Sequence, residues 1–134
     1  GQTGAGGVIL EDDLAPLVDF GGGAFVHEVW RAPHAAGEEA AGTPWMLDPP
    51  ATGAVFRIAE FPPAGEPGAL PFMHLTRTID FGVVLEGELT LIMDGQETVL
   101  RAGATFVHRQ ANHGWETRSR TRCRMAVVLM DGAL

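Results

Sequence analysis

Five histidines are available for metal binding or proton transfer in this 134-residue chain: His27, His34, His74, His108 and His113. In an extended strand the residues at i, i+2, i+4 and i+6 share a face. In the segment MHLTRTIDFG that face holds His74, Thr76, Thr78 and Asp80, opposite Met73, Leu75, Arg77 and Ile79. Four aligned polar groups in so apolar a chain either meet solvent or line a polar cavity, and periodicity alone leaves both open. His113 begins a second such segment, HGWET, in which Trp115 shares its face and is either a core residue or a wall of a pocket. His108 has the parity of Ala104 and Phe106 and reads as a structural histidine. His27 falls in a strand-like run and reads as a surface or dimer-contact residue, and His34 falls in a loop.

Other chemistries are closed by composition. All nine cations are arginine, so Schiff-base and lysine general-base catalysis are excluded, and pyridoxal phosphate enzymes with them. One cysteine, Cys123, permits no intrachain disulfide, cysteine-rich zinc site or CxxC redox pair, and its apolar surroundings suit a buried, inert thiol. The sole serine, Ser119, lies between arginines in a turn, which leaves no Ser-His-Asp arrangement to argue. No GxGxxG follows a strand and no phosphate loop is present. A net charge of -8 without any basic run argues against nucleic acid or an anionic membrane surface as partner. The absence of a leader pattern and of any apolar run near eighteen residues sets the expectation of a soluble cytoplasmic protein.

The elements that must position these residues are strands. Hydrophobic residues make up 46% against 19% charged, so the chain folds, and its length is that of one domain. Only Glu11–Val18 could support a short helix, and Pro16 interrupts it. From Ala51 onward short apolar or alternating runs follow one another: 55–61, 72–80, 82–85, 88–93, 97–100, 105–108, 113–117 and 124–130. Strands at this spacing predict a sandwich or barrel. Asp94-Gly95 suits a type I′ hairpin turn, and FPPAGEPGALPF is a loop because its prolines cannot donate to a ladder. Residues 1–50 read as an extension carrying one or two edge strands, AFVHEVW among them, that belongs to the same domain as the barrel of residues 51–134.

Two ordered spacings then stand out. Five residues separate Gly68 from His74, three separate Thr76 from Asp80, and six separate Asp80 from Gly87. Fifteen residues further, Gly103 opens GATFVHRQANHGWET, in which Arg109, Ala111, His113 and Thr117 are the positions of interest. Together these segments resemble the paired motifs of the cupin superfamily, small double-stranded β-helix (jelly-roll) barrels, over roughly residues 55 to 130. Gly68, His74, Asp80 and Gly87 fall on the first motif, with Thr76 in place of its second His and Asp80 in place of Glu. Gly103 and His113 match the second, His113 one residue early, with Arg109 at its Pro position, Ala111 at its Gly position and Thr117 at its Asn position. The short gap between motifs is typical of compact bacterial single-domain members.

The resemblance implies an all-β cupin barrel whose interior gathers His74, Asp80 and His113 around a divalent metal: iron, manganese, zinc or nickel. Two imidazoles and a carboxylate leave positions open for water or substrate. Thr76 would orient the open position, and Arg109 would either anchor an anionic substrate bidentately or pair with a nearby acid. The implied activity is that of a small-molecule metalloenzyme (decarboxylase, dehydratase, isomerase or dioxygenase) acting on an anionic or aromatic metabolite. A metal-free, non-catalytic binding or sensing module is the alternative. AFVHEVW, too lightly covered to bury both faces, further suggests a homodimer with a hydrophobic interface.

Overall fold

Apolar residues at every second position along most of the chain fix the architecture as layered β-sheet. The computed structural model describes residues 17–21, 24–32, 48–66, 72–75, 77–110 and 112–132. Ten strands follow in chain order: β1 (Leu17–Gly21), β2 (Ala24–Ala32), β3 (Ala54–Phe61), β4 (Phe72–Leu75), β5 (Thr78–Glu86), β6 (Glu88–Met93), β7 (Gln96–Arg101), β8 (Thr105–Arg109), β9 (Asn112–Glu116) and β10 (Cys123–Asp131). They form a six-stranded sheet, β1-β2-β3-β10-β5-β8, and a four-stranded sheet, β4-β9-β6-β7. The fold is an all-β jelly roll, with no helix among the described residues and none long and apolar enough to cross a membrane.

Alternation decides what lies inside. Along β10, Cys123, Met125, Val127 and Leu129 are buried while the residues between them are not. The antiparallel register carries the same face across the sheet, pairing Leu129 with Val55 and Asp80, and Met125 with Ala59 and Val84. Leu89, Leu91 and Trp115 supply the facing layer from β6 and β9. Phe106 of β8 lies opposite Gly82 of β5, where a Cβ would collide with the Ala126 carbonyl oxygen of β10 and also meet the Phe106 ring at 2.8 Å, so the position admits only glycine. Gly87 and Gly103, the two motif glycines at either end of the β6–β7 hairpin, are both left-handed, with φ of 74° and 89°. L-residues with a side chain rarely hold that backbone, and it is the physical reason for glycine at those spacings.

The structure revises four expectations. Residues 72–80 do not form one strand: the chain leaves the smaller sheet after Leu75 and enters the larger at Thr78. The Glu11–Val18 helix lies outside the described residues except for its last two, which open β1 as strand. The Asp94-Gly95 turn is left-handed at Gly95 alone (φ 75°), whereas a type I′ turn requires it at both residues. AFVHEVW is not an edge strand, because β2 pairs on one side with β1 and on the other with β3, leaving β1 outermost.

Candidate metal centre

The β5–β8 register sets Asp80 directly opposite His108, and β9 brings His113 toward them from the other sheet. All three side chains are buried, with 4%, 5% and 1% exposure. Asp80 Oδ2 lies 3.5 Å from His108 Nε2 and 4.0 Å from His113 Nε2. The two imidazole rings lie 3.9 Å apart, centroid to centroid. One ligand atom from each residue falls within 4.8 Å of the other two, and no other such trio occurs among the described residues. Two donors held about 2.1 Å from one ion stand at most about 4.2 Å apart. The two carboxylate–imidazole separations meet that limit, and the imidazole–imidazole pair lies within 4.8 Å. A carboxylate with two imidazoles is also a donor set that first-row divalent metals accept.

The surroundings of Asp80 fix how it presents its oxygens. Thr78, one alternation earlier on β5, donates its hydroxyl to Oδ1 and leaves Oδ2 toward the imidazoles. Burial pushes the Asp80 carboxyl above the usual carboxylate range, while the Thr78 hydrogen bond and the charges of His113 and Arg57 pull it back. Trp115 walls the cluster, with its ring 6.1 Å from His108 and 6.2 Å from His113, and meets Phe106 edge-on at 5.0 Å. A cleft of about 180 Å³ lined by Asp48, Pro49, Ala51, Arg77, Thr78 and Asp131 shares Thr78 with the cluster.

A second polar group occupies the same interior. Arg57 of β3 is 3% exposed, flanked on its face by Val55 and Ala59. Its Nε and Nη2 donate to Glu28 Oε1 at 3.3 and 3.1 Å. Arg31 grips the same carboxylate through Nη2 to Oε1 at 2.7 Å and Nε to Oε2 at 3.3 Å. Burial lowers the pKa of the Arg57 guanidinium, and the Glu28 hydrogen bond and charge oppose that fall.

Of the residues singled out from sequence, the structure brings Asp80 and His113 together. His74 is placed by its backbone, which lies opposite His113 in the β4–β9 register. Thr76 lies outside the described residues. Arg109 is not brought to the cluster: neighbours in a strand point to opposite faces, so buried His108 leaves Arg109 exposed on the outer side of β8. Sequence reasoning set aside His108, although its parity with Phe106 carried the signal. It also passed over Arg57, whose signal was an arginine at an apolar strand position, between Val55 and Ala59.

Comparison with known proteins places the chain in a family. The "Phomopsin biosynthesis cluster protein C'" of Diaporthe leptostromiformis is 42% identical over 81 residues, which are 59% of this chain and 41% of that protein. The "Cupin-domain-containing oxidoreductase virC" of Hypocrea virens is 34% identical over 83 residues, again 59% and 41% of the two chains. The chain thus spans about two-fifths of the length of these relatives, which are fungal, not bacterial. Among solved structures, the crystal structure of apo-HppE superposes with a TM-score of 0.61 at 13% identity, over 90% of this chain and 56% of that one, a likeness of fold alone. The segment that supplies the cluster lies wholly within residues 57–129, which match the cupin domain family, and the chain belongs to that family.

Proposed function

We propose that the chain holds one divalent first-row metal through Asp80, His108 and His113, with His74 as a further donor, and acts as an oxidoreductase on a small anionic metabolite. The observation that carries this reading is the buried meeting of a carboxylate and two imidazoles at 3.5 and 4.0 Å. The oxidoreductase class, which selects the oxygenase member of the activities implied by sequence, is supported by relatives whose names describe cupin-domain oxidoreductases and biosynthesis-cluster proteins. When bound, such a metal supplies a Lewis acid and, if it is iron, a site for dioxygen.

The chain's own residues do the rest. Thr78 holds Asp80 with one oxygen turned to the imidazoles. Trp115 and Phe106 exclude water from one side of the cluster. Arg57 gives the interior a fixed cation, close enough to Asp80 to favour its ionised form, and this cation suits a substrate carboxylate or enolate. In this reading Arg57, not Arg109, is the anchor for anionic substrate.

Metal analysis of protein purified without chelator tests the reading. The expectation is close to one metal per chain, lost in His108→Ala and retained in His27→Ala, whose imidazole faces Glu60 instead. Metal-free protein that neither takes up iron, manganese, zinc or nickel nor loses function on chelation would overturn it in favour of a metal-free binding module.

A further inference from the structure

Two residues beyond Asp80, where β5 begins and β10 ends, the register pairs Thr78 with Asp131. Both line the cleft of about 180 Å³, together with Asp48, Arg77, Pro49 and Ala51. One guanidinium and two carboxylates therefore surround a space whose inner wall, Thr78, already holds Asp80 by its hydroxyl. Arg77 is exposed and makes no hydrogen bond or ion pair among the described residues, although both carboxylates share its cleft. Asp131 is fixed by main chain, its Oδ2 accepting the Thr52 N–H at 2.6 Å. The backbone around the cleft is strained in holding these groups. Thr52 and Gln110 are the two non-glycine residues with left-handed backbone among the described residues, with φ of 59° and 39°. Gln110 donates its N–H to the Thr78 carbonyl at 3.0 Å and its Nε2 to the Gly132 carbonyl at 3.2 Å. Residues in that conformation are uncommon and persist where their surroundings fix them, as around ligand sites.

We propose that this cleft is the subsite for a zwitterionic head group, an ammonium and a carboxylate on one carbon as in an α-amino acid, with Arg77 and Asp131 as its specificity residues. The direction of the remaining substrate chain, past Thr78 toward Asp80, His108 and His113, rests on the metal reading above. Charge decides the class. A lone carboxylate that meets Arg77 also faces Asp48 and Asp131, and a lone amine that meets those acids also faces Arg77. A zwitterionic head satisfies both signs: the guanidinium takes the carboxylate in a bidentate pair, and the acids take the ammonium. The strand sets the length. Two residues of β5 from Thr78 to Asp80 span about 6.8 Å of extended chain, or about six covalent bonds. The group that reaches the metal row therefore lies about six bonds from the ammonium nitrogen. A second carboxylate at that distance is the anionic end that the metal and Arg57 accept.

Calorimetric titration of the intact chain with L-2-aminoadipate, hexanedioate and 5-aminopentanoate tests the proposal. All three carry the distal carboxylate; hexanedioate lacks the ammonium, and 5-aminopentanoate lacks the head-group carboxylate. The wild type should bind L-2-aminoadipate at least about 10-fold more tightly than either. Arg77→Gln should erase the advantage over 5-aminopentanoate. Asp131→Asn, whose amide oxygen still accepts the Thr52 N–H, should erase the advantage over hexanedioate. Arg120→Gln, exposed and outside the cleft, should change neither. No detectable binding of L-2-aminoadipate, or equal affinity for the three compounds, overturns the proposal. So does an advantage over 5-aminopentanoate that survives Arg77→Gln, or one over hexanedioate that survives Asp131→Asn. Titrating metal-stripped and metal-loaded protein in parallel keeps the two readings apart. Head-group preference in a protein that takes up no metal upholds the subsite and sinks the metal centre, whereas metal uptake without that preference sinks the subsite alone.

Discussion

Replacing Asp80 by Asn pulls metal binding and stability in opposite directions, which separates a ligand from a structural carboxylate. Burial raises the Asp80 pKa, so the folded protein binds more protons than the unfolded chain just above the ordinary carboxylate value of about 3.9. An acid shifted in that sense makes the metal-free protein progressively less stable as pH rises above that ordinary value. Asn carries no charge to desolvate, and its Oδ1 still accepts the Thr78 hydroxyl. Metal-free Asp80→Asn is therefore expected to be at least as stable as wild type at pH 7, with the difference vanishing toward pH 4. Metal reverses the order. Metal at 100 times its dissociation constant stabilises the wild type by about 2.7 kcal/mol. Losing the only anionic ligand should weaken binding at least about 100-fold, beyond the roughly 10–100-fold of groups that merely orient ligands. At the same metal concentration the variant then gains about 0.4 kcal/mol. At about 4 °C per kcal/mol for a chain of this length, melting curves with and without metal should separate by about 11 °C for wild type and about 2 °C for the variant. An undiminished metal shift in Asp80→Asn would refute Asp80 as a ligand. A metal-free variant more than about 1 kcal/mol less stable than wild type would refute the electrostatic argument.

Three further outcomes follow from named contacts. Arg57→Met should reduce the preference for benzoate over neutral benzamide at least about 10-fold, read by tryptophan fluorescence because Trp115 borders the cluster. Its stability loss should stay below the about 3–5 kcal/mol typical of a broken buried pair, since Arg31 still holds Glu28; a larger loss in denaturant melts would contradict that sharing. Gly87→Ala should cost at least about 2 kcal/mol, because its backbone is left-handed and a Cβ would stand 2.5 Å from the Arg122 carbonyl oxygen; Gly103→Ala, left-handed but with open space, should cost about 1 kcal/mol. Cys123 is fully buried and its thiol is pushed up to about 12, so native protein should not react with a thiol reagent at pH 8 within the time the urea-unfolded chain reacts completely.

What was legible in the sequence was local, and what was hidden was pairing between distant strands. β6, β7 and β10 follow from short apolar or alternating runs bounded by turn signals, and the two-residue Asp94-Gly95 connection follows from turn chemistry. Asp80 and His113 emerge from motif spacing because the left-handed glycines at 87 and 103 hold those spacings fixed. The break between β4 and β5 was invisible because the same alternation continues through Leu75, Arg77 and Ile79 on either side of it. His108 was undervalued for a related reason. Nothing local states that β8 pairs with β5 in the register that sets it opposite Asp80. That pairing also resolves the apparent deficit at Thr76: the imidazole absent from the first motif's second position is matched by one from β8, within the second motif.

The charges inside the barrel bear on what it is built to receive. A buried ion pair is a weak stabilising device, since an apolar pair of similar volume often does as well or better. Arg57 and Glu28 are nevertheless placed on the inner face, and Arg31 is added to the same carboxylate. Asp80 and Glu28 supply two negative charges and Arg31 and Arg57 two positive, so these four groups sum to zero. A divalent ion at Asp80, His108 and His113 would add two positive charges to these four groups, offset in part by Asp48, whose charge reaches both Asp80 and Arg57, inside a chain whose net charge is -8. Added positive charge in a low-dielectric interior favours an anion there, whereas the acidic exterior does nothing to concentrate one. Selection for an anionic substrate would on this account come from the interior and depend on the metal. Carboxylate preference should then be weaker in metal-stripped protein than in loaded protein, and weakest in metal-stripped Arg57→Met. Equal benzoate affinity in all three would show that neither the metal nor the guanidinium sets the charge the cavity accepts.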